Sequence, residues 1–335
     1  MKIAFFEVPK EEKPIFLEAF KNADVTFFEE KLDENSALKA KDAEIISVFI
    51  DSVVSKNIID LLPNLKFITT RSTGFEHIDL EHCATKGIKA SNVPSYGSHT
   101  VAEFAFSLIL NLSRKVINAN NHLRSSMDFN FYSSLQGFDL YGKTLGVVGT
   151  GKIGKNVIRI AKGFGLNILA YDLYPDLVFA SENKFEYKSL EEVLAGSDIL
   201  TLHTPYTKEN HHFINKENIS KMKKGIFVIN TARGALVDTE ALIWGIHEGI
   251  IAGAGLDVLE GERDLKIEKE IIGSSDLRHL DYKMIVEDKV MIDMPEIIVT
   301  PHIAFYSKEA EAEIIKTTVE NIKGFIENNP INLLK

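Results

Sequence analysis

The stretch Leu145-Gly-Val-Val-Gly149-Thr-Gly151-Lys152-Ile153-Gly154, with Asn167-Ile-Leu-Ala-Tyr-Asp172 downstream, decides the fold. Leu145 to Val148 is a short apolar run of the kind that forms a buried parallel strand. The glycines give G-x-G-x-x-G. Gly149 permits a tight turn, Gly151 has no Cβ to hold a pyrophosphate away, and Gly154 lets the next helix pack close to the strand. That helix, Ile153 to Gly163, aims its unpaired N–H groups and positive dipole end at the phosphates, with Lys152 and Ile153 at its mouth. Asn167 to Tyr171 reads as a second strand. It ends on Asp172, about 20 residues past the glycines, where a carboxylate bonds a ribose diol and repels a 2′-phosphate. Glycines also gather in ordinary strand–helix turns. Strand before, helix after and acid at this distance together mark a dinucleotide site, for NAD rather than NADP.

At 335 residues the chain has room for two domains. Its 45% apolar and 26% charged residues are those of a soluble globular protein. The net charge of -10 speaks against nucleic acid or an anionic membrane as partner. It does not exclude a small anion, because the field in a cleft can oppose the global sign. The only cysteine, Cys83, rules out an internal disulfide, suits a reducing cytoplasm and reads as a small buried hydrophobe. Neither a signal peptide nor a membrane-spanning run is expected.

Residues 1–92 alternate strand and helix: strands at Ile3–Phe6, Val25–Phe28, Ile45–Ile50, Lys66–Thr70 and Ile88–Ala90, helices at Lys13–Lys21 and around Ile58–Leu62. Pro94 and Gly97 then mark a connection. Thr100 and Glu103 have the spacing of a capping box, opening one long helix from Val101 to about Leu123. Its length suggests a bridge between domains and a homodimer contact. Beyond the glycine stretch the alternation continues, with strands at Ile199–His203, Ile226–Asn230, Ile251–Asp257 and Ile297–Thr300, and helices at Ser189–Leu194, Ile219–Met222, Asp238–His247 and Ser307–Glu327. Residues 263–294 read as a helical excursion or a surface insertion. The expectation is α/β, with two Rossmann-like, doubly wound parallel sheets. Residues 1–100 plus 302–335 form a substrate domain, into which an NAD-binding domain, 101–301, is inserted. A cleft separates the two, and its closure would expel water from the site.

Arg233, Glu262 and His302 follow strands in the second half, on the sheet edge that carries the glycine turn. Each alone is ordinary for a surface loop. Together they suit reduction of a 2-oxo acid. A histidine gives the proton to oxygen, a carboxylate orients that histidine, and a planar guanidinium forks onto a carboxylate and polarises the carbonyl. The adjacent pair His211-His212 hints at a metal. Neighbouring side chains diverge, however, and no acidic or cysteine cluster accompanies the pair in sequence, so no metal is expected.

Asn230-Thr-Ala-Arg233-Gly-Ala-Leu-Val-Asp, Gly255-Leu-Asp257-Val-Leu-Glu-Gly-Glu262, Thr300-Pro-His302 and Leu202-His203-Thr204-Pro205 resemble the D-isomer-specific 2-hydroxyacid dehydrogenases over essentially the whole chain. The resemblance implies that Arg233, Glu262 and His302 are the catalytic set, and that Asp257 meets the nicotinamide amide. His203, Thr204, Pro205, Thr231 and Ala232 complete the cofactor contacts. The formate-dehydrogenase branch has Gln where Glu262 stands. Arg71-Ser-Thr73-Gly74-Phe75, Val93-Pro-Ser-Tyr96 and Pro301-His-Ile-Ala-Phe305-Tyr306 resemble the D-lactate dehydrogenase branch in particular. There the Thr73 and Gly74 amides would hold a substrate carboxylate, while Tyr96 and Phe305 would crowd a long side chain and tolerate the methyl of pyruvate or D-lactate. The alternatives are a glyoxylate/hydroxypyruvate reductase and, from another class, an NAD(H)-sensing corepressor-like binding protein. The disordered recruitment tails such a protein would use are not evident in the sequence.

Overall fold

A computed structural model of the chain describes residues 1–262, 264–265 and 281–334. These form two compact units, Met1–Gly97 with Tyr306–Lys335, and Ser98–Phe305. The divisions fall a few residues from the expected 100/101 and 301/302.

The first unit is built on five parallel strands, β1 (Lys2–Phe5), β2 (Asp24–Phe27), β3 (Ile45–Val48), β4 (Phe67–Thr70) and β5 (Lys89–Ser91). Their order is β2-β1-β3-β4-β5, a doubly wound arrangement. Strands β3 and β4 are buried on both faces, which is why neither alternates apolar with charged residues; the polar members, Ser47, Thr69 and Thr70, are small and buried too. One face packs Ala4, Ile46 and Ile68 against helices α2 (Glu34–Lys39), α3 (Lys56–Asp60) and α4 (Leu80–Lys86). The other packs Ile3, Phe5, Ile45 and Phe67 against α1 (Lys13–Ala19) and the C-terminal helix α13 (Lys308–Ile326). Phe67 stacks on Phe325 with ring centroids 4.4 Å apart.

The second unit opens with two helices, α5 (Ser98–Arg114) and α6 (Val116–Ser126). The single long helix read from the periodicity is therefore broken, at Lys115, whose φ of 51° is left-handed. Thr100 lies inside the first turn of α5 and is not its cap. Then follow β6 (Thr144–Val148), α7 (Lys152–Gly163), β7 (Asn167–Tyr171), α8 (Leu177–Glu182), β8 (Glu186–Tyr187), α9 (Leu190–Gly196), β9 (Ile199–Leu202), α10 (Lys216–Ser220), β10 (Ile226–Asn230), α11 (Thr239–His247), β11 (Ile251–Leu256), α12 (Tyr282–Asp293) and β12 (Ile297–Val299). The seven strands are parallel, in the order β12-β11-β10-β9-β6-β7-β8. Helix α12 lies within the expected excursion over 263–294; residues 263 and 266–280 of that stretch lie outside the described residues. Side-chain caps at Asp176, Ser189, Asp238 and Asp281 start their helices. Among the described residues no helix is long and apolar enough to cross a membrane.

Candidate active site

Because every strand of the second sheet runs the same way, all carboxyl ends open on one edge. They deliver Asp172 after β7, the glycine turn after β6, His203 after β9, Arg233 after β10, Glu262 after β11 and His302 after β12. The winding direction reverses between β6 and β9, and ligands of such sheets bind at that reversal.

The glycine turn has the stereochemistry expected of it. Gly149 has φ +88°, and a Cβ there would lie 2.7 Å from the His203 backbone. A Cβ on Gly154 would lie 2.1 Å from the Gly149 carbonyl oxygen, so only glycine lets α7 approach this closely. Above Gly151, at the N-terminus of α7, nothing lies within 4 Å of the Cβ position, which leaves room for a phosphate against the backbone. Asp172 accepts from the Thr150 amide at 2.6 Å and hydroxyl at 2.8 Å, fixing the glycine turn to the end of β7. Two polar atoms of the expected cofactor set, Thr231 Oγ1 and His203 Nδ1, are buried without a hydrogen-bond partner. Burial pushes the His203 imidazole down to about 3, so the ring is neutral, with Nε2 2.8 Å from Thr201 Oγ1. Buried orphan donors and acceptors beside an open glycine turn fit a polar ligand such as NAD.

At the other end of the row, His302 Nδ1 lies 2.9 Å from Glu262 Oε1, which leaves Nε2 for a reacting oxygen. His302 itself has a left-handed backbone, φ 55°. Asp257 holds that conformation. Its carbonyl accepts the His302 N–H at 2.9 Å, and its carboxylate accepts Thr300 Oγ1 at 2.5 Å and the amides of Ile303 and Ala304 at 2.9 and 2.7 Å. Burial pushes this carboxyl above its ordinary range, against the pull of those donors. The residue expected to meet nicotinamide is thus also the residue that shapes the histidine turn. Arg233 is half-buried in a loop closed by Asn230, whose side chain accepts from Ala232 N and donates to the Arg233 carbonyl. Nothing in the sequence singles out Asp288. It is fully buried under the turn before Glu262, accepts the Gly261 N–H at 3.1 Å, and is pushed by burial up to about 7.

In the first unit, Thr73 and Gly74 follow β4, and Tyr96 follows β5. The Thr73 side chain donates to the Val93 carbonyl and its own carbonyl accepts Asn92 Nδ2, while neither the Thr73 nor the Gly74 amide donates to another described residue. Arg71 takes no part at this surface. It is buried, donating to Ser47 Oγ and to the Phe6 and Glu7 carbonyls, and burial lowers it to about 10. Asn321 of α13 donates to the Asn92 carbonyl and braces the approach to Tyr96, a long-range contact with no local sequence signal.

The ground for expecting His211 and His212 to diverge is corrected by the structure. His212 has φ 50°, and the two rings stack with centroids 3.8 Å apart. A carboxylate does accompany them: His212 Nε2 lies 2.9 Å from both oxygens of Glu260, a residue remote in sequence.

Residues 106–304 match the family model of the D-isomer specific 2-hydroxyacid dehydrogenase NAD binding domain. The chain is 34% identical to the D-lactate dehydrogenase of Escherichia coli, covering 97% of this chain and 96% of that one. It is 35% identical to an aromatic 2-oxoacid reductase of Clostridium sporogenes, covering 93% and 94%. Among solved structures, the D-lactate dehydrogenase of Aquifex aeolicus complexed with NAD and lactic acid superposes with a TM-score of 0.87 at 36% identity, covering 98% of this chain and 96% of that one. With a parallel sheet whose glycine turn fits NAD, and relatives matched over nearly their full length, the chain belongs to the D-isomer specific 2-hydroxyacid dehydrogenase family.

Proposed function

We propose that the protein is an NAD-dependent D-lactate dehydrogenase, interconverting pyruvate and D-lactate. The observation that carries this reading is the 2.9 Å pair of His302 Nδ1 and Glu262 Oε1 at the carboxyl edge of the NAD-binding sheet. Bound NADH supplies the hydride that reaches the carbonyl carbon. His302, oriented through Nδ1 by Glu262, gives the proton on Nε2 to the carbonyl oxygen, and in the reverse direction takes it back. Arg233 offers its guanidinium to the substrate carboxylate and to the polarised carbonyl. In the first unit, the Thr73 and Gly74 amides, which donate to no other described residue, suit a carboxylate, the role the resemblance implies for them. Asp257 would hold the nicotinamide amide of bound NAD, as the resemblance implies, in addition to its internal hydrogen bonds.

The choice of pyruvate rests on bulk. Phe305, half-buried three residues past His302, and Tyr96, half-buried after β5, each disfavour a long 2-substituent. The relatives include both a D-lactate dehydrogenase and an aromatic 2-oxoacid reductase. A panel of pyruvate, hydroxypyruvate, glyoxylate and phenylpyruvate with NADH therefore tests the reading. The highest kcat/KM is expected with pyruvate. Preference for another member rejects the substrate, and intact NADH binding without turnover of any member favours the sensor.

We also propose a homodimer. Helix α6 buries none of its residues, and Met127, Phe129 and Phe131 beyond it are 78%, 86% and 95% exposed, an apolar arm suited to a second copy. A cytoplasmic location fits the lone Cys83, whose thiol is buried and pushed up to about 11.

A further inference from the structure

The geometry points to a transition-metal site in the second unit, formed by His211, His212 and Glu260 and suited to Zn2+. One donor atom from each residue lies within 4.8 Å of the others. Two imidazoles and a carboxylate are the borderline nitrogen and oxygen donors that Zn2+ favours, at bonds of about 2.0–2.1 Å, with a fourth position for water. Tetrahedral donors stand roughly 3.3 Å apart at those bond lengths. The His212 Nε2 and Glu260 oxygens, 2.9 Å apart, need only open slightly. The larger adjustment falls on His211, an exposed side chain stacked on His212 and set edge-on to Tyr206, which must rotate within those contacts.

Three features make this more than two histidines beside an acid. The left-handed backbone at His212, φ 50°, stacks the rings on one side of the chain, where extended backbone would send them apart. The far nitrogen of His212, Nδ1, faces the Asp238 carboxylate at 3.8 Å. That is longer than a hydrogen bond, but the acid stands on the side where ligating histidines place the carboxylate that orients the ring and leaves Nε2 for the metal. The cradle is also preformed. His212 N donates to the Ala235 carbonyl, Ile214 N to the Leu236 carbonyl and Asp238 N to the Ile214 carbonyl, each at 2.9 Å. Gly234 packs on Leu259 and Glu260 so closely that a Cβ would lie 2.1 Å from the Leu259 carbonyl. A cation held here ties the 211–214 segment to the loop that carries Glu262 two residues further on. The site is separate from the His302–Glu262 pair and uses none of its atoms.

The test is isothermal titration of ZnCl2 into the chelator-stripped, tag-free full chain, with Co2+ absorption as a second readout of coordination. One Zn2+ per chain is expected, with a roughly micromolar Kd. His211→Ala and Glu260→Gln should each weaken binding tenfold or more, and saturating Zn2+ should raise Tm in the parent but not in these variants. His211 is exposed, so its variant keeps the fold; Glu260→Gln keeps a hydrogen bond to His212 and removes the charge. His302→Asn should bind Zn2+ like the parent. No stoichiometric binding at about 100 μM Zn2+ overturns the proposal. So does binding that survives His211→Ala and disappears in His302→Asn, which would place the metal on the His302–Glu262 pair.

Discussion

Replacing Asp257 with Asn separates its two roles. In the parent its carboxylate accepts the Thr300 hydroxyl and two main-chain amides, Ile303 and Ala304. An asparagine oxygen in the place of Oδ1 keeps the first two. Its NH2 then faces the Ala304 N–H, 2.7 Å from the atom it replaces, donor against donor. Ala304 is only 3% exposed, so water does not substitute. A charge-assisted bond contributes about 1.5–3 kcal/mol, and an unsatisfied buried N–H costs about 1–3 kcal/mol. Against this stands the relief of burying a charge, visible in the raised pKa of the carboxyl. The net loss is about 2 kcal/mol. Urea unfolding followed through Trp244, the chain's only tryptophan and a residue of α11, reads this unit alone. With a slope of about 2 kcal/mol/M the midpoint should fall by about 1 M. The relaxed turn also moves His302, so kcat for reduction of the preferred 2-oxo acid should drop about tenfold or more. A nicotinamide contact on its own predicts a different pattern: a higher KM for NADH with the midpoint unchanged. A parent-like midpoint and parent-like kcat would refute the assignment of Asp257 to the histidine turn.

Three further outcomes are expected. Glu262→Gln keeps the shape of the 2.9 Å contact to His302 and removes its charge, and should lower kcat about 10- to 100-fold with little change in KM for NADH; an unchanged kcat contradicts the pairing. Gly154→Ala drives a methyl to 2.1 Å from the Gly149 carbonyl, so NADH affinity measured by fluorescence titration should fall at least tenfold, and unaltered affinity would show that α7 can move away freely. His203 stays neutral in the folded chain to about 3, whereas the unfolded chain takes up its proton near 6.5, so the stability it contributes is present above 6.5 and is lost as pH falls between those values. The full shift would exceed 4 kcal/mol (about 1.36 per unit), but the residue is partly exposed, so His203→Gln should flatten the acid limb of the stability curve by about 2 kcal/mol. An acid limb of unchanged slope in urea unfolding at pH 4 to 7 would reject this.

The strands of the second unit are legible because parallel strands buried on both faces leave continuous apolar runs, and Thr144–Val148 and Ile226–Asn230 occur where those runs stand. The short helices α2, α4 and α8 are not, since six or seven residues give too few turns for a periodic signal, and the two-residue edge strand β8 gives none. The break between α5 and α6 is hidden because apolar spacing continues across it from Leu112 to Val116, and a lysine in left-handed backbone leaves no mark in composition. The histidine pair misleads for the same reason: divergence of neighbours holds for extended chain, not for φ 50°. Glu260 and Asp257 acquire their partners 43 to 48 positions away, through strand order, which no local pattern encodes.

The left-handed residue at position 302 also limits how this enzyme can be silenced for capture with a substrate in place. Alanine or a branched side chain there would strain the main chain and shift Glu262 and Asp257 along with it. Asparagine tolerates that region of backbone space and presents a short amide in the direction of the lost ring. An inert form carrying His302→Asn would therefore preserve the surroundings of the missing imidazole, and soaking experiments with 2-oxo acids should begin from it.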